Sequence, residues 1–469
     1  MEVPRKTGAW TFFSGVTVLL LLLSFSVHTQ LKSVRGPDGS TQWPASGSAV
    51  KSKASVVGED FPIYYTAGKV ARARGDRTLY YPAPDGGKLS LRNLLDTVPP
   101  QTAWGRIAAA SGFQSTGRFM APPFTALLAA PITALRPRTA LLLWRVATVL
   151  ELTIAVYLIC ILLQGSWSLS GFFLVSAAAA LSFFPLVETL YQGQVDAVVL
   201  LLWVLGVWLV HTKSPYSSAF CFALATMIKA SPVLVVGVFL LRRQWRWLAA
   251  YIVWMCAFLA AGVWQLGWQN HTFWLSRVLP ILSGGVPYFA SKSLPSFLSE
   301  LYLRQVPLEV QGLPSIPAAL RVLTKALSLL LYSGTLYYFW HRCRSAKHLV
   351  YELTVLPLVI LLASPESFRH HYLLATLPLL YLWYKSQAWV SGHVVFRLAL
   401  LGIATTIIGT LFIDYVIVSV RSAKIDLLLS GLYPAATILL LYVASLVPSE
   451  ESEKTLVLQV VSTSRSAAA

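Results

Sequence analysis

The sequence predicts an all-α, polytopic transmembrane helical bundle of about twelve spans, each close to the roughly 20 apolar residues a helix needs to cross a bilayer, with further helices in its extracytoplasmic loops. Three observations carry that expectation. Of 469 residues, 56% are hydrophobic and only 12% charged, about half the roughly 25% charged residues of an ordinary soluble domain. The mean hydropathy is +0.64. The Lys and Arg residues behind the net charge of +18 lie in short loops between apolar runs. There they read as topology determinants and headgroup contacts, not as a nucleic-acid surface.

In chain order, residues 1–9 form a cytoplasmic N-terminus, with Arg5 and Lys6 before the apolar stretch 10–27. That stretch is a retained first transmembrane helix, because no small-x-small cleavage site follows Val27 and more spans come after. Residues 28–120 form a long extracytoplasmic loop whose early part, 36–55, is a Ser/Gly/Pro-rich linker. From Val56 onward, Phe61, Tyr64 and Tyr65 interleave with Lys69, Arg72 and Arg74. This fits an amphipathic helix lying in the membrane interface, or equally a solvated helix capped by Glu59 and Asp60.

The first bundle region, 121–266, holds a short Pro-bearing segment (121–135), which needs a half-helix from 107–119 to cross, then spans at 141–163, 172–187, 198–210, 219–241 and 248–266. A second extracytoplasmic loop covers 267–317. The second bundle region, 318–447, holds spans at 320–340, 349–363, 372–384, 394–418 and 427–447, and 448–469 is a cytoplasmic tail. Basic clusters at 136–138, 242–246 and 341–347 fall on the cytoplasmic side by this count, as does the 193–196 stretch. Asp60, the 267–317 loop and 364–371 share the outer side. Cys160, Cys221, Cys256 and Cys343 stand singly, without disulfide or zinc spacing. No internal repeat supports an inverted-repeat transporter.

Chemistry belongs where ionisable groups are kept despite a cost of at least about 2.5 kcal/mol at the bilayer centre. Asp60 and Glu59 form a carboxylate pair straight after the first span, and their spacing does not choose between them. Glu188, Gln192 and Asp196 recur every fourth residue, so one continuous helix would carry them on one face. Lys229, in a run otherwise almost free of charge, either snorkels to the boundary or serves as a phosphate ligand, with the second reading favoured. Arg145 and Glu151 read as a structural pair, and Asp414 has no evident partner. Arg369, His370 and His371 join two spans and could hold phosphate, position a sugar or move protons.

Taken together, Asp60…Tyr64-Tyr65…Gly75…Leu79-Tyr80, then Tyr191-Gln192-Gly193-Gln194-Val195-Asp196 with Lys229, then Ser364-Pro365…Ser367-Phe368-Arg369-His370-His371 resembles the bacterial polyprenol-phosphate-mannose-dependent mannosyltransferases. These are integral-membrane glycosyltransferases of the GT-C superfamily, in the glycosyltransferase family 87 group. The resemblance runs over residues 55–385. It implies a GT-C type bundle, Asp60 as catalytic base and an inverting transfer of a sugar, mannose first, from a polyprenyl-phosphate donor to a lipid or glycan acceptor. Substrate-binding positions are then Glu59, Tyr64, Tyr65, Gln192, Gln194, Asp196, Lys229, Arg369, His370 and His371.

No cofactor is expected, and with no nucleotide-sugar diphosphate and no Asp-x-Asp motif, no metal. The implied location is the bacterial cytoplasmic (inner) membrane, with the site facing the exterior. The chain departs from the family pattern at Asp196, where Asn is usual, and at Phe368, where Trp is usual. Ser291-Lys292-Ser293 is all that represents an Asn-x-Ser element. Two rival readings are a same-scaffold transferase using another polyprenyl-phosphate sugar, and a transporter or flippase with Glu188, Asp196 and Lys229 as a relay.

Overall fold

A computed structural model describes residues 60–447, apart from 74–78, 81–88, 97, 100, 114–115, 165–175, 177–179, 181–182, 308–312, 314–315, 343–347, 387–393, 411–412 and 414–422. The first span, the 36–55 linker, Glu59, Gly75, Asp414 and the tail lie outside the described residues. The described elements form an all-α membrane protein. In chain order the main helices are α1 (Phe61–Arg72), α2 (Ala103–Ala110), α3 (Phe124–Ala129), α4 (Pro137–Gln164), α5 (Phe184–Gln192), α6 (Asp196–His211), α7 (Pro215–Ile228) and α8 (Val235–Leu241). They continue with α9 (Trp245–Leu266), α10 (Leu294–Leu303), α11 (Ala318–Arg342), α12 (Leu349–Ala363), α13 (Thr376–Ser386), α14 (Val394–Gly409), α15 (Ala423–Ser430) and α16 (Leu432–Ser445).

Three described helices, Pro137–Leu163, Trp245–Leu266 and Lys424–Ser445, are each long and apolar enough to cross a membrane. Five shorter apolar helices accompany them. α9 shows how such a helix is solvated. Ile252, Val253 and Trp264 point outward and exposed, which suits a lipid surround in which apolar side chains need no cover. α6 and α12 are instead apolar all round and sit at the centre, packed against α4, α7, α11 and α16, as expected of helices buried on every face.

Two predicted continuities are broken, both for local backbone reasons. Glu188, Gln192 and Asp196 do not share one helix. α5 ends at Gly193, which adopts a left-handed φ of 74°, and α6 starts afresh at Asp196. Such a φ is open to Gly and strained for other residues. A Cβ there would also sit 2.7 Å from the Cβ of Phe61. The expected 219–241 span breaks at Lys229, whose backbone is extended, because Pro232 has no N–H to give to the Ile228 carbonyl. The Thr125 hydroxyl donates to that carbonyl instead, at 2.8 Å.

α1 fits neither of its two expected settings. Nine of its twelve residues are buried, and it packs on α3, with Gly68 so close to Ala129 that a Cβ would lie 2.8 Å from its backbone. α1 is therefore enclosed by protein, with its aromatic residues turned inward. The half-helix expected over 107–119 does not form: α2 ends at Ala110, and the described residues of 111–119 are not helical.

The second loop is pinned to the 364–371 segment. Ser291 bridges to Phe368, the Lys292 N–H donates to the Ser367 carbonyl at 2.7 Å, and the Tyr372 hydroxyl donates to the Lys292 carbonyl at 2.8 Å. Ser293 caps α10, its hydroxyl accepting from the Ser296 N–H.

Candidate active site

Asp60 occupies the N-cap position of α1 yet makes no cap bond with its side chain. Its carboxylate accepts from Gln194 Nε2 at 2.5 Å, and Gln194 Oε1 in turn accepts from the Tyr64 hydroxyl at 2.7 Å. The Asp60 N–H donates to the Gln192 carbonyl at 3.1 Å. Trp144 stacks on Tyr64 and donates from its indole to the Gln194 carbonyl. Burial, with Asp60 close by, pushes the Tyr64 phenol well above its ordinary range, so it stays a donor. The Gly193 turn thus folds the 192–194 stretch onto the start of α1, and a carboxylate that could have capped its own helix is held from across the molecule. The span count had put 193–196 on the opposite side from Asp60; the half-length helix α5 brings them together.

The same cavity is lined by two cations, each bound to an acid. Lys229 Nζ donates to Asp196 Oδ1 at 2.6 Å, and Arg369 lies 3.0 Å from Glu188, with its guanidinium also over the rings of Phe184 and Phe289. Gln192 donates to the same Glu188 oxygen at 3.2 Å. Lys229 therefore does not snorkel. The α7 break places it inside, and its partner Asp196 is fully buried.

His370 and His371 meet edge-on, with ring centroids 4.5 Å apart. Burial lowers the His370 imidazole to about 3, and burial together with Lys229 and His370 holds His371 well below its usual value. Both rings are neutral at pH 7. Burial raises the Glu366 carboxyl to about 7, against the pull of Lys229.

These groups surround one cavity of about 670 Å³. Asp60, Tyr64, Gln192, Gln194, Lys229, Arg369, His370 and His371 line it; Tyr65 and Asp196 do not. Tyr65 turns away and donates to the Leu135 carbonyl at 2.7 Å, while Asp196 acts on the cavity through Lys229. Leu234, Leu282, Leu329 and Tyr332 add apolar lining to the same cavity. Arg145 donates to the Leu190 carbonyl, with Leu190 on α5, where pairing with Glu151 had been expected.

Sequence reasoning singled out neither Arg118 nor Glu366, although both line the cavity, and it missed Trp144 as a support. Arg118 read as one more loop charge. Glu366 lay inside a quoted motif, where its adjacency to the histidines was the available signal.

Comparison with known proteins bears on this geometry. Glycosyltransferase family 87 is the family whose model matches the chain, over residues 119–365. No curated protein matches it as a relative.

Proposed function

The chain belongs to glycosyltransferase family 87 and is a membrane glycosyltransferase; from that premise we propose that it transfers mannose from a polyprenyl-phosphate donor to a lipid or glycan acceptor, with inversion. The observation that carries this reading is that Asp60, Lys229 and Arg369 line one cavity. A base and cations that can hold a phosphate around one space are what an inverting displacement requires. The apolar part of the lining suits a polyprenyl chain.

In this reaction Asp60 takes the proton from the acceptor hydroxyl as that oxygen bonds to the anomeric carbon. The bond from that carbon to the phosphate oxygen breaks on the opposite face, and polyprenyl phosphate departs with the electron pair. Gln194 and Tyr64 orient Asp60. Lys229 and Arg369, fixed in a largely buried setting, stabilise charge growing on the phosphate, and His370 and His371, as neutral rings, add hydrogen bonds. We place the enzyme in the bacterial cytoplasmic membrane with the cavity opening to the exterior, where a polyprenyl-linked sugar is presented.

The test is transfer from labelled polyprenyl-phosphate-mannose to a membrane-lipid extract by protein in lipid. Asp60→Asn is expected to lower transfer by about 10²–10⁴ with an unchanged melting temperature. Full transfer by that variant would remove Asp60 as the base. Transfer from a different polyprenyl-phosphate sugar alone would keep the scaffold and replace mannose.

A further inference from the structure

The charge balance of the cavity is incomplete for a phosphate ligand. Lys229 and Arg369 are each bound to a carboxylate, and Arg118 is influenced by nearby Asp96. Asp60 and Glu366 place two more acids in the same walls. A donor phosphate enters among cations already countered, and it gains a further negative charge when it leaves as a monoester.

A second observation is local. Asp196 gives Oδ1 to Lys229, while its Oδ2 is buried with no hydrogen-bond partner among the described residues. Nδ1 of His370 is likewise buried and without one. Asp196, His370 and His371 bring one carboxylate oxygen and two ring nitrogens within 4.8 Å of one another. Buried polar atoms nearly always have a partner, and an exception asks for an explanation such as a bound ion.

We propose that Asp196, His370 and His371 form a binding site for a divalent first-row transition-metal ion, whose open coordination positions receive the donor phosphate. The second half of that statement rests on the sugar-transfer reading; the first half does not. Two imidazoles and one carboxylate suit Mn²⁺, Co²⁺ or Zn²⁺ better than Mg²⁺, which prefers oxygen ligands. Bonds of about 2.0–2.2 Å require these atoms to draw closer together, and His371 is the least buried of the three residues. Lys229, bonded to the distal oxygen of Asp196, becomes the outer support that ligating carboxylates usually have. The ion stabilises charge on the phosphate as a Lewis acid, in place of the metal-free site that the sequence led us to expect.

The test titrates chelator-stripped full-length protein with Mn²⁺ alone, read by electron paramagnetic resonance, and repeats it with a short-chain prenyl phosphate. Wild type is expected to bind one Mn²⁺, with at least tenfold weaker binding in Asp196→Asn and in His371→Gln. His371→Gln alters a half-buried side chain and serves if Asp196→Asn fails to fold. Prenyl phosphate is expected to tighten Mn²⁺ binding at least threefold in wild type. Binding in wild type no tighter than in the variants overturns the site, and mannose transfer by the same chelated protein would then leave the sugar-transfer reading intact. Mn²⁺ binding indifferent to prenyl phosphate overturns the link to the donor.

Discussion

Helix α12 has a buried ion pair near each of its ends, and the two are built differently. Glu352, in its first turn, receives Arg242 on both oxygens: Nε donates to Oε2 at 3.0 Å and the other arm reaches Oε1, while that arm also serves the Phe339 carbonyl. Roughly 16 Å farther along, at about 1.5 Å per residue, the chain leaves α12 for the cavity wall. There Lys229 satisfies one oxygen of Asp196 and leaves the other bare. The first pair closes on itself and holds α8, α11 and α12 together. The second keeps bonding capacity in reserve beside a 670 Å³ space. The saturated pair is a structural clamp; at the other, the unanswered oxygen is where the proposed ion binds.

The sharpest way to break this comparison is to remove one partner at each end. Arg242→Met leaves a buried carboxylate without its cation, and about 3–5 kcal/mol of stability should be lost, read as a lower melting temperature in detergent. Transfer per folded molecule should be unchanged. Lys229→Met should do the reverse, lowering transfer about 100-fold, equivalent to about 2.7 kcal/mol, with a smaller stability loss because Lys229 is more exposed than Arg242, 21% against 8%. Equal stability losses from both variants would erase the distinction.

A third buried acid extends the comparison. Glu300, fully buried in α10, is raised to about 8, chiefly by burial and against the pull of Lys292. Its folded value lies above its unfolded one, so between about pH 4.5 and 8 the native state holds the extra proton. Stability must then fall as pH rises, by at most about 1.4 kcal/mol per pH unit. Glu300→Gln should flatten that slope in thermal unfolding curves; an unchanged slope would show that other groups cause it.

The smallest effect sharpens the comparison at Asp60. Tyr64→Phe removes one hydrogen bond to Gln194, worth about 0.5–1.5 kcal/mol. Turnover should drop about 3–10-fold with KM for the donor little changed. A loss confined to KM would make Tyr64 a substrate contact instead of a support for the base.

The bundle was legible because hydrophobicity is additive along a chain. Runs such as 349–363 and 320–340 announce their length and apolar character locally, and α12 and α11 follow them closely. Asp60, Lys229 and the 369–371 segment could be singled out for a related reason, since ionisable groups beside or within apolar runs are conspicuous in one dimension. What the sequence by itself determined was thus an apolar bundle with a few costly polar groups held at particular positions.

Their partners were decided only in three dimensions. Gly193 turns the chain between Glu188 and Asp196, and Pro232 denies Ile228 its ladder bond, so helical spacing gave the wrong faces. Asp60 meets Gln194 across 134 residues, and Lys229 meets Asp196 across 33. Hydrogen bonds and ion pairs act over a few ångströms of space, whatever the separation along the chain. Which acid answers which cation, and which oxygen remains unanswered, was therefore fixed by packing.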